Sequence, residues 1–209
     1  MSTITAIPSD ATDRGEVTPE ELLAMPDGKH YELVDGVPVE RTMSLLASRV
    51  EVTLGRMLDN HCVQNDLGWV LGPACGYRCF DWKPTRVRRP DISFIRRERL
   101  PSEAEWSEGY VTIPPDIAIE VTSPNDVIYE LEEKVEEYLR AGGRLIWLIY
   151  PEVRVIQVIR NDGSGYRLRA GDELSGEDVV PGFRCPVASL FPASRPSGAG
   201  TATAEAAAP

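Results

Sequence analysis

No apolar run in this 209-residue sequence approaches the ~18–20 residues needed to span a membrane. The opening stretch, Met1 to Gly15, has neither a basic start nor an apolar segment. It does not read as a secretory signal, and a cytoplasmic protein is the default expectation. Histidine is scarce, with only His30 and His61, and the four cysteines (Cys62, Cys75, Cys79 and Cys185) form no C-x-x-C pair. That argues against a structural zinc site. Cys75 and Cys79 fall on one face of an expected strand, where thiols act as small buried hydrophobes. A glycine-rich phosphate loop, a Cys/His nucleophile pair and metal-ligating His pairs are all missing, which counts against the usual enzymes built on them.

Positive charge is also in short supply. Lys and Arg number 22 against 33 Asp and Glu, a net charge of −11, which is unfavourable for a nucleic-acid binder because phosphate contacts need cations. The distribution softens this. Arg86, Arg88, Arg89, Arg96, Arg97 and Arg99 are crowded together, opposed only by Asp91 and Glu98, while much of the acid lies in Glu130, Glu132, Glu133, Glu136 and Glu137 and around residues 172–178. A local basic ridge on an acidic body binds a phosphate backbone weakly and with strong salt dependence.

Hydrophobic residues make up 42% of the chain, enough to build a core. The expected layout is one domain over residues 17–192, with a disordered arm at 1–16 and a disordered Ala/Ser/Pro/Gly/Thr tail at 193–209. Thr18-Pro19-Glu20-Glu21 predicts a capped helix start. Tyr31–Val34 and Val37–Glu40 around Asp35-Gly36 predict a hairpin, with Glu32 on the face opposite Tyr31 and Leu33. Residues 43–64 carry a helical stripe of Leu46, Val50, Leu54, Met57, Leu58 and His61. Strands are expected over 68–82, interrupted at Gly72-Pro73, and over 89–95, with Asp91 at the entry of the second. A long polar connection, 97–114, follows.

Next comes the short strand Asp116–Val121. Alternation puts Asp116, Ala118 and Glu120 on one side and Ile117, Ile119 and Val121 on the other. Ser123-Pro124-Asn125-Asp126 ends this strand and is expected to cap a helix over 127–140, which Gly142-Gly143 stops. The run Leu145–Tyr150 reads as a central strand covered on both faces. Outer strands are expected at 151–159 and 166–169, and residues 182–191 close the domain. The order of elements predicts an α/β fold with a mixed central β-sheet flanked by helices.

Glu120 ends an apolar strand, where a carboxylate is costly to bury unless a cation meets it. One candidate is a bound metal ion. The other is Lys134, which follows Val127 and Leu131 and precedes Tyr138 at helical spacing, at the edge of the buried stripe. A lysine there either snorkels to water or reaches the neighbouring strand. Asp91 and Glu120 are each ambiguous alone, since many strand-end carboxylates are solvated. With Lys134 they make a known chemical kit: two carboxylates suit Mg²⁺, the ion activates water and neutralises phosphate charge, and a lysine orients the water or stabilises the developing charge.

Tyr31-Glu32-Leu33-Val34-Asp35-Gly36, Arg89-Pro90-Asp91, Asp116 to Pro124, Lys134 with Tyr138, and Ile146-Trp147-Leu148-Ile149 together resemble the Uma-type restriction endonuclease family of the PD-(D/E)XK nuclease superfamily. The resemblance runs from about Thr18 to Phe191. It implies a restriction-endonuclease-like fold, Mg²⁺-dependent phosphodiester hydrolysis (with Mn²⁺ able to substitute) and DNA as substrate. Asp91 then matches the superfamily's Pro-Asp aspartate and Glu120 the acidic residue of the following strand. Thr122 stands where many relatives have lysine, and Lys134 resembles a lysine migrated to the helix. Glu32 matches an acidic residue that the family places near the site, reaching the metal directly or through water, its other reading being an exposed hairpin carboxylate. Ala47-Ser48-Arg49 departs from relatives that carry a histidine at the start of the first long helix.

Two functions are weighed. The first is a Mg²⁺-dependent DNA endonuclease using Asp91, Glu120, Lys134 and Glu32, with Arg88, Arg89, Arg96 and Arg97 on the flanking backbone. A homodimer is its expected assembly, because cutting both strands needs two sites. The alternative is a catalytically inactive nuclease-fold module that binds nucleic acid or a protein partner.

Overall fold

The structure is a computed structural model that describes residues 16–106 and 109–192. The expected arm, apart from Glu16, and the expected tail at 193–209 lie outside the described residues. The first helix, α1 (Pro19–Ala24), begins as the capping signal predicts. Thr18 Oγ1 accepts from the Glu21 amide at 3.2 Å, and the Glu21 carboxylate accepts from the Thr18 amide at 2.8 Å. β1 (Tyr31–Val34) and β2 (Val37–Glu40) pair antiparallel across Asp35 (φ +49°) and Gly36 (φ +78°), both left-handed as a tight primed turn requires.

α2 (Leu45–Gln64) starts behind a Ser44 cap, two residues later than expected, and buries Ala47, Val50, Leu54, Leu58 and Cys62. His61 turns to the rim instead, its Nε2 2.9 Å from the Pro181 carbonyl oxygen. β3 (Gly68–Leu71) is shorter than the strand expected over 68–82. Pro73 has no amide to offer a ladder, and beyond Leu71 only Tyr77 makes an isolated bridge, to Arg88 and Val111.

β4 (Ile92–Arg96), β5 (Ile117–Val121), β6 (Leu145–Tyr150), β7 (Val155–Arg160) and β8 (Gly165–Leu168) complete a six-stranded sheet in the order β3-β4-β5-β6-β7-β8. β5 and β6 are parallel, joined through α3 (Ile128–Ala141), and every other pairing is antiparallel. The mixed sheet and its flanking helices are the expected architecture. A short hairpin of β9 (Glu173–Ser175), not anticipated, and β10 (Arg184–Pro186) closes the domain.

α3 ends as Gly142-Gly143 predicts. Gly142 is left-handed at φ +105°, and the Gly143 amide reaches the Tyr138 carbonyl at 2.8 Å. Its start differs from expectation. Val127 is the cap residue and provides no side-chain bond, while the Asp126 carboxylate accepts from the Ser123 amide at 2.8 Å, closing the preceding turn instead.

The sheet has two covered faces. Ile92, Phe94, Ile117, Ile119, Val121, Trp147 and Ile149 pack with α2 and the C-terminal segment around Phe183. Ile95, Ala118, Ile146 and Leu148 pack with Tyr77 and Phe80 and with Leu131, Val135 and Tyr138 of α3. Each fully buried Ile, Leu or Phe stabilises the fold by about 1.5–3 kcal/mol, so the alternation of β4 and β5 is strongly fixed: a one-residue slip would exchange the faces. Among the described residues no helix is long and apolar enough to cross a membrane.

Candidate active site

The register of β4 on β5 sets the site. Ile92 pairs with Ile119 in an antiparallel ladder, so Asp91, one residue earlier, comes level with Glu120, one residue later. The ladder's last link is made by a side chain: Asp91 Oδ2 accepts from the Val121 amide at 2.7 Å. Glu120 shares the Ala118 face of β5, the face α3 covers. One turn apart on that helix, Lys134 and Tyr138 both meet it. Lys134 Nζ lies 3.5 Å from Glu120 Oε2, and the Tyr138 hydroxyl donates to Glu120 Oε1 at 3.2 Å. The β1–β2 hairpin brings in Glu32, whose Oε1 is 3.2 Å from Lys134 Nζ.

Asp91, Glu120, Lys134 and Glu32 are thus gathered in one place. Glu32 is 2% exposed, which rules out the exposed-carboxylate reading. Lys134 is engaged with two carboxylates and does not snorkel to water. Thr122 turns away from the group, its hydroxyl donating to the Ile149 carbonyl at 3.2 Å.

The two strand acids and the hairpin acid differ in electrostatics. Burial pushes the Glu120 carboxyl up to about 7; Lys134 opposes this, and the charges of Asp91 and Glu32 add to it. Burial likewise raises Asp91 to about 6 against the pull of Arg41 and the Val121 amide. In Glu32, burial is overcome by Lys134, Arg88 and the Arg89 amide, which leave it at about 2. Lys134 is held above its ordinary value because Glu120 and Glu32 outweigh its desolvation, so it stays an ammonium.

The arginines depart from the expected ridge. Arg88 and Arg89 are each 3% exposed and Arg86 is fully buried, so none of the three presents its charge to a polyanion. Arg88 is a strut: Nη1 is 3.0 Å from Glu32, Nε 2.6 Å from Glu137 and Nη2 3.3 Å from Glu133. Arg89 donates Nε to the Tyr31 carbonyl at 2.9 Å and Nη1 to that of Ala74. Arg86 reaches Asp35 at 3.1 Å, and Lys83 bridges Glu133 and Glu137 at 2.7 and 3.0 Å. Arg96 and Arg97 sit at the other end of β4, about 16 Å from Asp91 at the usual rise of about 3.3 Å per residue. Arg96 pairs with Glu98 and Arg97 with Asp66. They are remote from the carboxylates.

Arg41 and Glu137 were missed in the sequence. Arg41 donates to Asp91 Oδ1 and, at 3.3 Å, to the Pro73 carbonyl. A signal existed: Val39 is the cross-strand partner of Glu32, and Arg41, two residues on, falls on the same side of the ribbon. Glu137 follows Lys134 by three residues, on the same side of α3. Beside Asp91 an open cleft of about 380 Å³ runs between α2 and β3, lined by Glu51, Arg56, Asp59, Gly72 and Ile92 among others.

The donor set fits a hard divalent cation. Asp91 and Glu120 offer only oxygen, and both carboxyls are raised chiefly by burial, which disfavours the bare anion and favours a cation that meets it. Among the described residues no group of three or more His, Cys, Asp or Glu is placed to hold a metal ion. Asp91 and Glu120 would hold such an ion as a two-carboxylate pair, the kind of set that suits Mg²⁺.

Comparisons with known proteins bear on the fold and the family. The chain is similar to a crystal structure described as "a putative nuclease belonging to DUF820" from Anabaena variabilis, with a TM-score of 0.69 and 18% identity, covering 84% of this chain and 97% of that one. At that identity the likeness shows the fold, which is the nuclease-like one expected. No curated protein matches. The Uma2 family profile, described as "Putative restriction endonuclease", matches residues 19–188, a span holding every residue of the site. The two findings together support a nuclease, and the chain belongs to the Uma2 family.

Proposed function

We propose that this chain is a Mg²⁺-dependent DNA endonuclease that hydrolyses phosphodiester bonds at Asp91, Glu120 and Lys134. The observation that carries the reading is the convergence of two carboxylates from adjacent strands with an ammonium from the covering helix. Asp91 and Glu120 would hold the ion, and Mn²⁺ would serve in its place. When bound, the ion would supply Lewis-acid activation of water and neutralise phosphate charge.

The chain's own groups have separable tasks. Lys134, kept protonated between Glu120 and Glu32, stabilises the negative charge that grows on the phosphate oxygens as water attacks in line and the bond to the leaving oxygen breaks. Glu32 acts through Lys134. Both its oxygens are bonded, to Lys134, Arg88 and the Arg89 amide, so it positions the ammonium and does not take a proton. Tyr138 steadies the Glu120 carboxylate. Substrate enters along the cleft beside Asp91. A symmetric homodimer would supply the second site needed to cut a duplex.

A second reading, a nuclease fold retained for binding without turnover, is favoured by the burial of Arg88 and Arg89, which leaves an acidic surface. A Mg²⁺ titration with plasmid nicking decides between them. Nicking that appears with Mg²⁺ and disappears in Glu120→Ala supports the enzyme. DNA retention without nicking in Mg²⁺ or Mn²⁺ supports the binding module.

A further inference from the structure

The cation that neutralises Asp91 in this structure comes from the chain itself. The Arg41 guanidinium sits on Asp91 Oδ1 while the second oxygen of that carboxylate is fixed by the Val121 amide. Arg41 is braced from behind by the Pro73 carbonyl at 3.3 Å, and its side chain is only 17% exposed. Its field also reaches Glu120 and Glu32. A guanidinium does not lose its proton in a protein, so it cannot make way for a metal ion by neutralising. Two like charges within about 4 Å repel strongly in a partly buried site. A divalent ion on Asp91 would therefore compete with the guanidinium for Oδ1.

We propose that Arg41 is a resident counter-ion that occupies Oδ1 of Asp91 in the free protein, and that on displacement it becomes a clamp for substrate phosphate. The proposal rests on the nuclease reading for its second half. The first half concerns Asp91 and Arg41 alone. Arg41 follows the end of β2, its backbone amide is tied to the His30 carbonyl at 3.0 Å, and its long side chain is the only part that needs to move. Once released, it presents a planar fork of donors, which matches two phosphate oxygens. Such an exchange would order events: Arg41 would leave Asp91 on metal binding and would engage the polyanion only after that. It also gives an acidic protein a phosphate-binding cation that is hidden until the site is loaded.

The test is Mn²⁺ binding to the full chain, read by electron paramagnetic resonance of the free ion, for wild type and Arg41→Gln, with thermal melts establishing that both fold. Removing a competing positive charge makes Arg41→Gln bind Mn²⁺ about tenfold more tightly, while its KM for DNA rises about tenfold at saturating Mn²⁺. Equal or weaker Mn²⁺ binding by folded Arg41→Gln overturns the proposal. A readout free of any variant is the Arg41 guanidinium resonance of the wild-type chain. Its restricted rotation is lost as Mg²⁺ is added if the arginine is displaced, and an unchanged signal at saturating Mg²⁺ overturns the displacement. Tighter Mn²⁺ binding by Arg41→Gln in a protein that never cuts DNA leaves the counter-ion role standing and sinks the nuclease reading. Unchanged affinity in a protein that does cut DNA sinks only the counter-ion.

Discussion

Lys134 Nζ stands closer to Glu32 of the hairpin, at 3.2 Å, than to Glu120 of the central strand, at 3.5 Å. The lysine is thus held by an acid whose two oxygens are both already engaged, and from there it also meets the acid of the central strand. Glu32→Gln removes the charge that anchors Lys134 and half of a buried pair with Arg88. Single-turnover cleavage is expected to fall about a hundredfold, with Mn²⁺ affinity changed by less than about threefold, because Asp91 and Glu120, the proposed ligands, are untouched. A large loss of Mn²⁺ affinity in this variant would instead make Glu32 a ligand.

Glu137 is the keystone of the charge network behind the site. It meets Arg88 at 2.6 Å and Lys83 at 3.0 Å, and Arg86 at 3.4 Å. Removing one member of a buried ion network strands its partners, at a cost of about 3–5 kcal/mol. Glu137→Ala is expected to lower stability by that order in a denaturant melt, whereas Glu136→Ala, one position away on the same helix, stays within about 0.5 kcal/mol of wild type.

The stability of the free protein should depend on pH in an unusual direction. Glu120 is raised from 4.5 to about 7 and Asp91 from 3.8 to about 6. Between the ordinary and raised values the folded state binds more protons than the unfolded state, so these two groups make stability fall as pH climbs from about 4 to about 7. Facing Glu120 are Lys134 and Tyr138 from α3, Asp91 before β4, Glu32 from β1 and Arg41 after β2. Glu32 works oppositely: depressed to about 2, it contributes stability that is present above 4.5 and lost as pH falls through about 2. Glu120→Gln is expected to melt several degrees higher than wild type at pH 8 and to flatten the slope between pH 5 and 8. An equal slope in both proteins would show that Glu120 is not the group that titrates there.

Arg97 is exposed and pairs with Asp66 far along β4 from the carboxylates. Arg97→Ala is expected to change cleavage by less than about threefold, measured under single-turnover conditions at two salt concentrations. A marked loss at low salt that shrinks as salt is raised would restore the basic ridge read from the sequence.

That ridge shows where local reasoning stops. The faces of β4 and β5, the hairpin turn and the place of Lys134 on its helix all follow from spacing within ten residues or so, and spacing of that kind is visible in one dimension. A run of arginines reads as a wet surface by the same logic. Arg88 is buried because Glu32 and Glu137, 56 and 49 residues away, are carried to it by the hairpin and by α3, and no periodicity announces partners at that range. Arg41 and Asp91 are 50 residues apart. The aromatics of residues 72–82 mimicked a strand because they cover a core, yet Pro73 left that segment without a ladder. β9 is three residues long, too short for alternation to register.

The most direct measurement is single-turnover DNA cleavage at saturating Mg²⁺ for Asp91→Asn, Glu120→Gln, Lys134→Met and the three pairwise combinations. If the three groups act as one unit, each single change costs about a thousandfold or more and the pairs cost little beyond that. Cleavage that survives the loss of either carboxylate, or that drops by independent factors multiplying across the pairs, would contradict the account.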